Sequence, residues 1–385
     1  MNASFHPQDL LGREAFDLPG RPRLVFGAGA VRRTGELARS LGGERALLVT
    51  DRGLLAAGHA ARVTDALQDA GFAVTTFVDV HENPTTDDVD ACLAVARMAE
   101  VDLIVGVGGG SAMDTAKGTN FLLTNGGRMQ DYWGVGKATK PMLPLIAIPT
   151  TTGTGSEMQC AALIADATTH QKMACLDEKV LARIAILDPE LTLSQPARVA
   201  ACTGIDALSH AVETAVTTKR TSASVEFSRV ALQLCLEALP RMLVQPGHVA
   251  DHAKMQLGAA LAGAAIERSM LGAAHAAANP LTAQFGLTHG FAVGLMLPGV
   301  IRFNAAEPAI RSAYETLGLN VDELVERIET LLRLGGAPTG LKVLGVKAAD
   351  IPSLAALAQK QWTAGFNPRP ISESDFATLY AAVLG

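Results

Sequence analysis

The sequence predicts an α/β N-terminal domain built on a parallel sheet, followed by an all-α C-terminal domain. Three observations carry that reading. Short apolar runs alternate with amphipathic stretches from Arg23 to Leu187, the rhythm of strands joined by covering helices. Beyond Ser194-Gln-Pro196 the pattern turns to alanine- and leucine-rich stretches with helical spacing. A chain of 385 residues also exceeds what one ordinary core supports. The boundary falls near residue 190, which divides the chain into domains 1–190 and 191–385.

Taken in order, residues 23–26 read as the first strand, followed by a Gly27-Ala-Gly29 turn and an amphipathic stretch over 31–41. Residues 46–50 form a buried strand that ends at Asp51, and 63–70 a helix. A strand at 73–78 leads through Glu82-Asn83-Pro84-Thr85 into a helix over 86–99. The apolar run 101–107 goes directly into Gly108-Gly109-Gly110-Ser111-Ala-Met-Asp114-Thr-Ala-Lys117, where Ser111 is expected to cap a helix. A strand at 144–149 enters the loop Thr150-Thr151-Thr152-Gly153-Thr154-Gly155-Ser156-Glu157. Lys172 and the strand 185–187, ending in Asp188-Pro189, close this half. The second half has helical spacing over 199–216, 223–239, 250–266, 321–334, 351–358 and 376–384.

Three stretches carry chemistry. The glycines at 108–110 leave successive amides open at the positive end of a helix, which is what a pyrophosphate needs; a plain packing turn is the other reading. The run is neither a Walker loop nor a full G-x-G-x-x-G. The Gly27-Ala-Gly29 turn competes for the same role. Asp51, at the next strand end, reads either as a ribose-binding acid that disfavours a 2′-phosphate or as a solvated carboxylate. The threonine- and glycine-dense loop after residue 149 offers hydroxyls and amides for phosphate, ribose or nicotinamide.

The third stretch runs from Thr203 to His289. Asp206 and His210 stand four apart on one helix face. Alone, such a pair is more often a capping or surface interaction. His275 and His289 follow, separated by Pro280 and Gly286, so that two elements are expected to converge on the first pair. One carboxylate with three neutral imidazoles suits Fe(II), Zn(II) or another borderline divalent ion. His248 and His252 form another i, i+4 pair on a polar helix start and read as surface residues.

Bulk composition excludes other classes. With 32 basic and 38 acidic residues the formal charge of −6 is dispersed, and aromatics amount to 4%, so neither nucleic acid nor an anionic membrane is an expected partner. The apolar runs stop short of the ~18 residues of a membrane helix, and the N-terminus lacks a signal-peptide pattern. Five scattered cysteines without a C-x-x-C pair point to buried thiols in a reducing cytoplasm.

Together and in this order, Gly108-Gly-Gly-Ser111-Ala-Met-Asp114-Thr-Ala-Lys117, Pro149-Thr-Thr-Thr-Gly-Thr-Gly-Ser-Glu157, Asp188-Pro189, Gly204-Ile-Asp206-Ala-Leu-Ser-His210-Ala-Val-Glu213, Thr288-His289-Gly290 and Leu297-Pro298 resemble the iron-containing (group III) alcohol dehydrogenases. The resemblance runs from Phe26-Gly27 to Phe303-Asn304. It implies a Rossmann-like dinucleotide-binding domain and a helical metal-binding domain in a dehydroquinate synthase-like architecture. It also implies a metal ion, Fe(II) or Zn(II), on Asp206, His210, His275 and His289, and NAD on Asp51, Asn83, Gly108, Gly109, Gly110, Ser111, Asp114, Thr150, Thr151 and Thr154. Lys172 joins the cofactor set, and a homodimer or higher homo-oligomer is expected. One departure stands at Asn279, where most members carry a histidine beside the nicotinamide that relays the substrate proton. Asparagine does not titrate, so the expectation is that the proton leaves through water or another group, or that the substrate differs from the family's.

The implied reaction is hydride transfer between NAD(H) and a small primary alcohol or diol, or its aldehyde. The runner-up is a dehydroquinate-synthase-like lyase acting on a sugar phosphate, which would call for basic residues by the metal; residues 263–289 contain Arg268 alone. A nucleotide-binding module without catalysis would use the first half only. Phe285 and Phe291 are the aromatics nearest the metal-ligand segments, and Tyr132 and Trp133 read as pocket or core residues.

Overall fold

The structure, a computed structural model, describes residues 6–385. Its strands are β1 (Phe16–Leu18), β2 (Arg23–Phe26), β3 (Arg45–Val49), β4 (Ala73–Phe77), β5 (Leu103–Gly108), β6 (Gly134–Val135), β7 (Leu145–Pro149), β8 (Ala161–Ala165), β9 (Lys172–Leu176) and β10 (Ile184–Leu187). Seven of them form one sheet in the order β1-β2-β10-β7-β5-β3-β4, parallel at every pairing except β1 with β2. Strands β5, β7 and β10 are buried along their whole length, which is why they read as unbroken apolar runs rather than alternating ones.

The two faces can be told apart by the period of two. Leu48, Val105, Ile146 and Ile186 pack with Val63 and Leu67 on one face. Leu47, Ile104 and Ala147 pack with Cys92, Ala96 and Met113 on the other. Each fully buried Leu, Ile or Val contributes roughly 1.5–3 kcal/mol, so the sheet holds itself through these two layers. The expected strands are all present. An additional small sheet, β6-β9-β8, has no counterpart in the sequence reading. Its strands are short, and β8 and β9 pair across a polar turn.

The helices are α1 (Thr34–Arg39), α2 (Arg52–Ala56), α3 (His59–Asp69), α4 (Thr86–Met98), α5 (Gly110–Asn125), α6 (Ala197–Thr214), α7 (Ser222–Val244), α8 (Val249–Ile266), α9 (Ala273–Phe285), α10 (His289–Asn304), α11 (Pro308–Glu315), α12 (Val321–Leu334), α13 (Ile351–Gln359) and α14 (Glu373–Ala382). Side chains close several starts: Thr85 and Asp88 form a capping box on α4, and Asn320 caps α12. Helices α9, α10 and α11 were not legible from spacing. Pro280 and Pro298 lie inside α9 and α10, so the break between His275 and His289 comes from Gly286, left-handed at φ 65°, and not from Pro280.

The chain divides into two compact units. One comprises the sheets and α1–α5 (residues 9–151 and 156–194); the other comprises 195–385 with Thr152–Gly155 and His6–Gln8. In the second unit small residues let helices approach closely. A Cβ on Gly204 would stand 2.4 Å from Leu239 Cδ1, and one on Gly258 2.9 Å from Cys235 Sγ. No helix among the described residues is long and apolar enough to cross a membrane. Cys92, Cys175, Cys202 and Cys235 are buried, and Cys160 is partly buried.

Candidate functional site

In the helical unit, α6 presents Asp206, His210 and Glu213 at i, i+4 and i+7, one buried face. His275 lies in the first turn of α9 and His289 opens α10. Gly290 explains how α10 gets so near: a Cβ there would stand 2.1 Å from the Cys202 carbonyl oxygen, so only glycine lets α10 press against α6 beside the site.

Around Asp206 Oδ1 stand His210 Nε2 at 3.4 Å, His275 Nε2 at 3.6 Å and His289 Nε2 at 3.9 Å. Donors ~2.1 Å from a shared tetrahedral ion lie about 3.4 Å apart; Asp206, His210 and His275, whose ligand atoms all lie within 4.8 Å of one another, form a buried group able to hold one divalent cation, and His289 Nε2 stands beside it. Asp206 Oδ1 and His275 Nε2 are buried and make no hydrogen bond, a costly arrangement unless something binds both. The structure thus gathers Asp206, His210 and His275 into one group, with His289 at its side.

Glu213 went unrecognised as a functional residue. Its Oε2 lies 2.6 Å from His275 Nδ1, and its carboxylate also accepts the Gly272 amide at 3.0 Å and the Ala274 amide at 2.8 Å. In the neutral ring, with Nδ1–H donated to Glu213, Nε2 of His275 is the atom that carries the lone pair, on the side of Asp206. The available signal was an acid seven residues after Asp206 in an apolar helix.

The electrostatics follow from burial and neighbours. Burial alone would raise the Asp206 pKa, but the three imidazoles hold it well below the usual carboxylate range. Burial lowers His210 to about 4, with Asp206 opposing. For His275 burial also acts downward, yet Asp206 and Glu213 more than offset it and lift the ring to about 9. A site that binds a proton this firmly is built for positive charge.

In the first unit the glycine turn lies between β5 and α5. Strands β3 and β5 are neighbours from which the chain departs in opposite directions, toward β4 and toward β7, so the turn sits at a topological switch point. Gly108 has φ 154°, and a Cβ on it would stand 2.6 Å from Ala112 Cβ and 3.9 Å from Asp51 Oδ2. Thr151 flanks Gly109, where a Cβ would meet Thr151 Cγ2 at 3.3 Å. The Asn83 amide donates to Ser111 Oγ at 3.2 Å, and Lys172 Nζ donates to Asn83 Oδ1 at 3.4 Å. Asp51, Asn83, Gly108, Gly109, Ser111, Thr151 and Lys172 therefore gather around the C-terminal ends of β3 and β5.

The cap expected of Ser111 and the anion site offered by Gly27-Ala-Gly29 need correction, and the other candidates take the following places. Ser111 does not cap α5: the N-cap is Gly109 without a side-chain bond, and Ser111 Oγ receives Asn83 instead. Asp51 caps α2 through the Leu54 amide at 2.9 Å. The Gly27-Ala-Gly29 turn is no anion site, because the Asp188 carboxylate already accepts the Gly29 and Val31 amides, both at 3.1 Å. Asp114 and Thr150 are buried, with Asp114 accepting Ser156 Oγ at 3.1 Å. Thr154 belongs to the helical unit, where Gly155 packs so near α8 that a Cβ on Gly263 would stand 2.4 Å from the Gly155 oxygen. The glycines of that loop serve close packing.

His252 is buried, not a surface residue, and its Nε2 lies 2.8 Å from the Pro246 carbonyl; His248 pairs with Asp251 at 2.9 Å. Tyr132 belongs to the core beside Phe121. Arg268 stacks over Phe227 at 4.9 Å. Asn279, one turn after His275 on α9, donates through Nδ2 to Gln361 Oε1 at 3.0 Å.

Comparison with known proteins matches residues 21–189 to the iron-containing alcohol dehydrogenase model and residues 200–384 to the C-terminal model of the same family. The chain is 34% identical to a Bacillus methanolicus NAD-dependent methanol dehydrogenase over 93% of its own length and 97% of that protein's. Among solved structures, a 1,3-propanediol oxidoreductase superposes with a TM-score of 0.91 at 32% identity, covering 97% of this chain and 100% of the other. A Bifidobacterium kashiwanohense sulfoacetaldehyde reductase solved with NAD+ gives a TM-score of 0.87 at 30% identity, covering 96% and 98%.

Proposed function

The chain belongs to the iron-containing alcohol dehydrogenase family, and from that premise we propose how its residues divide the work of an NAD-dependent, metal-dependent oxidoreductase. It interconverts a small primary alcohol or diol and the corresponding aldehyde, as the names of its relatives indicate for them. The observation that carries the assignment is the group of three imidazole nitrogens 3.4–3.9 Å from Asp206 Oδ1, which itself has no hydrogen-bond partner.

Asp206, His210, His275 and His289 hold the ion, and Asp206 moderates its charge. When bound, a divalent ion there supplies Lewis-acid polarisation of the substrate oxygen, and NAD supplies the hydride acceptor. Glu213 fixes the tautomer of His275. The amides of Gly108, Gly109 and Gly110 receive the pyrophosphate at the start of α5, and Asp51 receives the adenosine ribose hydroxyls. Ser111, Asn83, Thr150, Thr151, Thr154, Asp114 and Lys172 complete or support the cofactor site. Asn279 is hydrogen-bonded to Gln361 and does not titrate, so the alcohol proton leaves through water or another group. In this reading residues 1–190 form the NAD-binding domain and 191–385 the catalytic domain of a cytoplasmic homodimer or higher oligomer. A sugar-phosphate lyase is not favoured: it has no support among these relatives, and Arg268 is stacked on Phe227.

The test is anaerobic loading with Fe(II) or Zn(II), metal analysis, and NADH absorbance with short alcohols, diols and aldehydes. Asp206→Ala and His275→Ala are each expected to lose both metal and turnover. Full metal content and full turnover in both variants would overturn the ligand assignment.

A further inference from the structure

At the far edge of the sheet, Asp51 and Asp79 follow the neighbouring strands β3 and β4 and form a backbone bridge to one another. Asp51 leans toward the glycine turn. Between the two in sequence terms stands Arg52, whose side chain is 79% exposed and whose Nε and Nη2 both donate to Asp79 Oδ1, at 2.9 and 2.6 Å. An arginine adjacent to the ribose-binding acid is the residue type that accommodates a 2′-phosphate. Its planar fork matches phosphate oxygens as well as a carboxylate. Here the fork is turned onto Asp79.

We propose that Asp79 is a specificity-determining residue: by engaging the Arg52 guanidinium it withholds that cation from the 2′-phosphate of NADP, while Asp51 favours the unphosphorylated ribose. The inference rests on the reading of Asp51 as the ribose residue. Two carboxylates and one guanidinium give this corner a formal charge of −1, which opposes a phosphate dianion. Removing Asp79 changes the charge to zero and releases the fork. The chain then keeps one discriminator, Asp51, where it had two devices acting together.

Dissociation constants for NADH and NADPH, read from nucleotide fluorescence on binding to the metal-loaded enzyme, test this without recourse to turnover. Asp79→Ala, and Asp79→Asn as the shape-preserving variant, are expected to bind NADPH about tenfold tighter, with the NADH constant changing much less. Adding Arg52→Ala to Asp79→Ala is expected to abolish the gain, and raised salt to diminish it. No gain in either Asp79 variant overturns the proposal. A gain that survives Arg52→Ala also overturns it, since Asp79 would then act by repulsion alone. Asp51→Ala is the separate control: if it leaves both constants unchanged, the ribose lies elsewhere, and the underlying reading fails together with the proposal.

Discussion

Glu213 Oε2 stands 2.6 Å from His275 Nδ1, and two backbone amides at the start of α9 converge on the same carboxylate. Three donors on one buried acid favour its ionised, acceptor-only form. Glu213→Gln would turn an amide N–H₂ toward at least one of these donors and replace the carboxylate that holds His275 with a neutral, weaker acceptor. Metal affinity is expected to fall roughly 10–100-fold, measured by competition with a chelator; unchanged affinity would show that Glu213 only packs.

Gly290 concerns the same site through backbone contact. A Cβ 2.1 Å from the Cys202 carbonyl cannot be relieved by a rotamer change, so Gly290→Ala must move α10 and carry His289 away from Asp206. Overpacking of this kind costs about 1–3 kcal/mol. The expected result is lowered metal content with helical circular dichroism retained. Wild-type metal content would contradict the stated geometry.

Glu157 provides a pH dependence outside the metal site. It is 2% exposed, and burial raises its pKa from 4.5 to about 7, with Lys117 opposing. A folded-state pKa above the unfolded one means that the folded protein holds the proton more tightly. The favourable contribution is thus complete below pH 4.5 and is lost as pH rises through about 7. Glu157→Gln removes the titration. Its thermal midpoint should exceed that of the wild type at pH 8 by more than at pH 5, with a limit of about 3 kcal/mol; a pH-independent difference would refute this.

Asn279 predicts a gain on substitution. Asn279→His places a titratable ring one turn from His275, beside Gln361. The neutral imidazole accepts a proton, so alcohol oxidation should acquire a limb that rises with pH near ~6.5. The kcat–pH profile of the wild type should lack that limb. Superimposable profiles would indicate that position 279 takes no part in proton transfer.

Much of this was legible in the chain because it is written in local periodicity and local chemistry. The buried strands β5 and β7 announce themselves as apolar runs, and Asp206 with His210 as a helix face. Other features misled for a physical reason. Gly27 and Gly29 have the composition of an anion-binding turn, but the carboxylate that occupies it, Asp188, is distant in sequence. His252 has polar neighbours in sequence and is nevertheless buried. Pro280 and Pro298 look like breakers, yet α9 and α10 accommodate them within tertiary packing.

What the sequence determined by itself is therefore the fold class and the position of the glycine turn, which depend on residue type and short spacing, while the family motifs singled out Asp206, His210, His275 and His289 as candidate ligands. Only the tertiary structure decided that Glu213 grips His275, that Gly290 admits α10 beside α6, that Asp188 fills one glycine turn and leaves the other, and that Arg52 is turned onto Asp79. Each of these depends on atoms from separate elements meeting within a few ångströms. Such meetings are set by how helices and strands pack, and short-range spacing along the chain does not encode them.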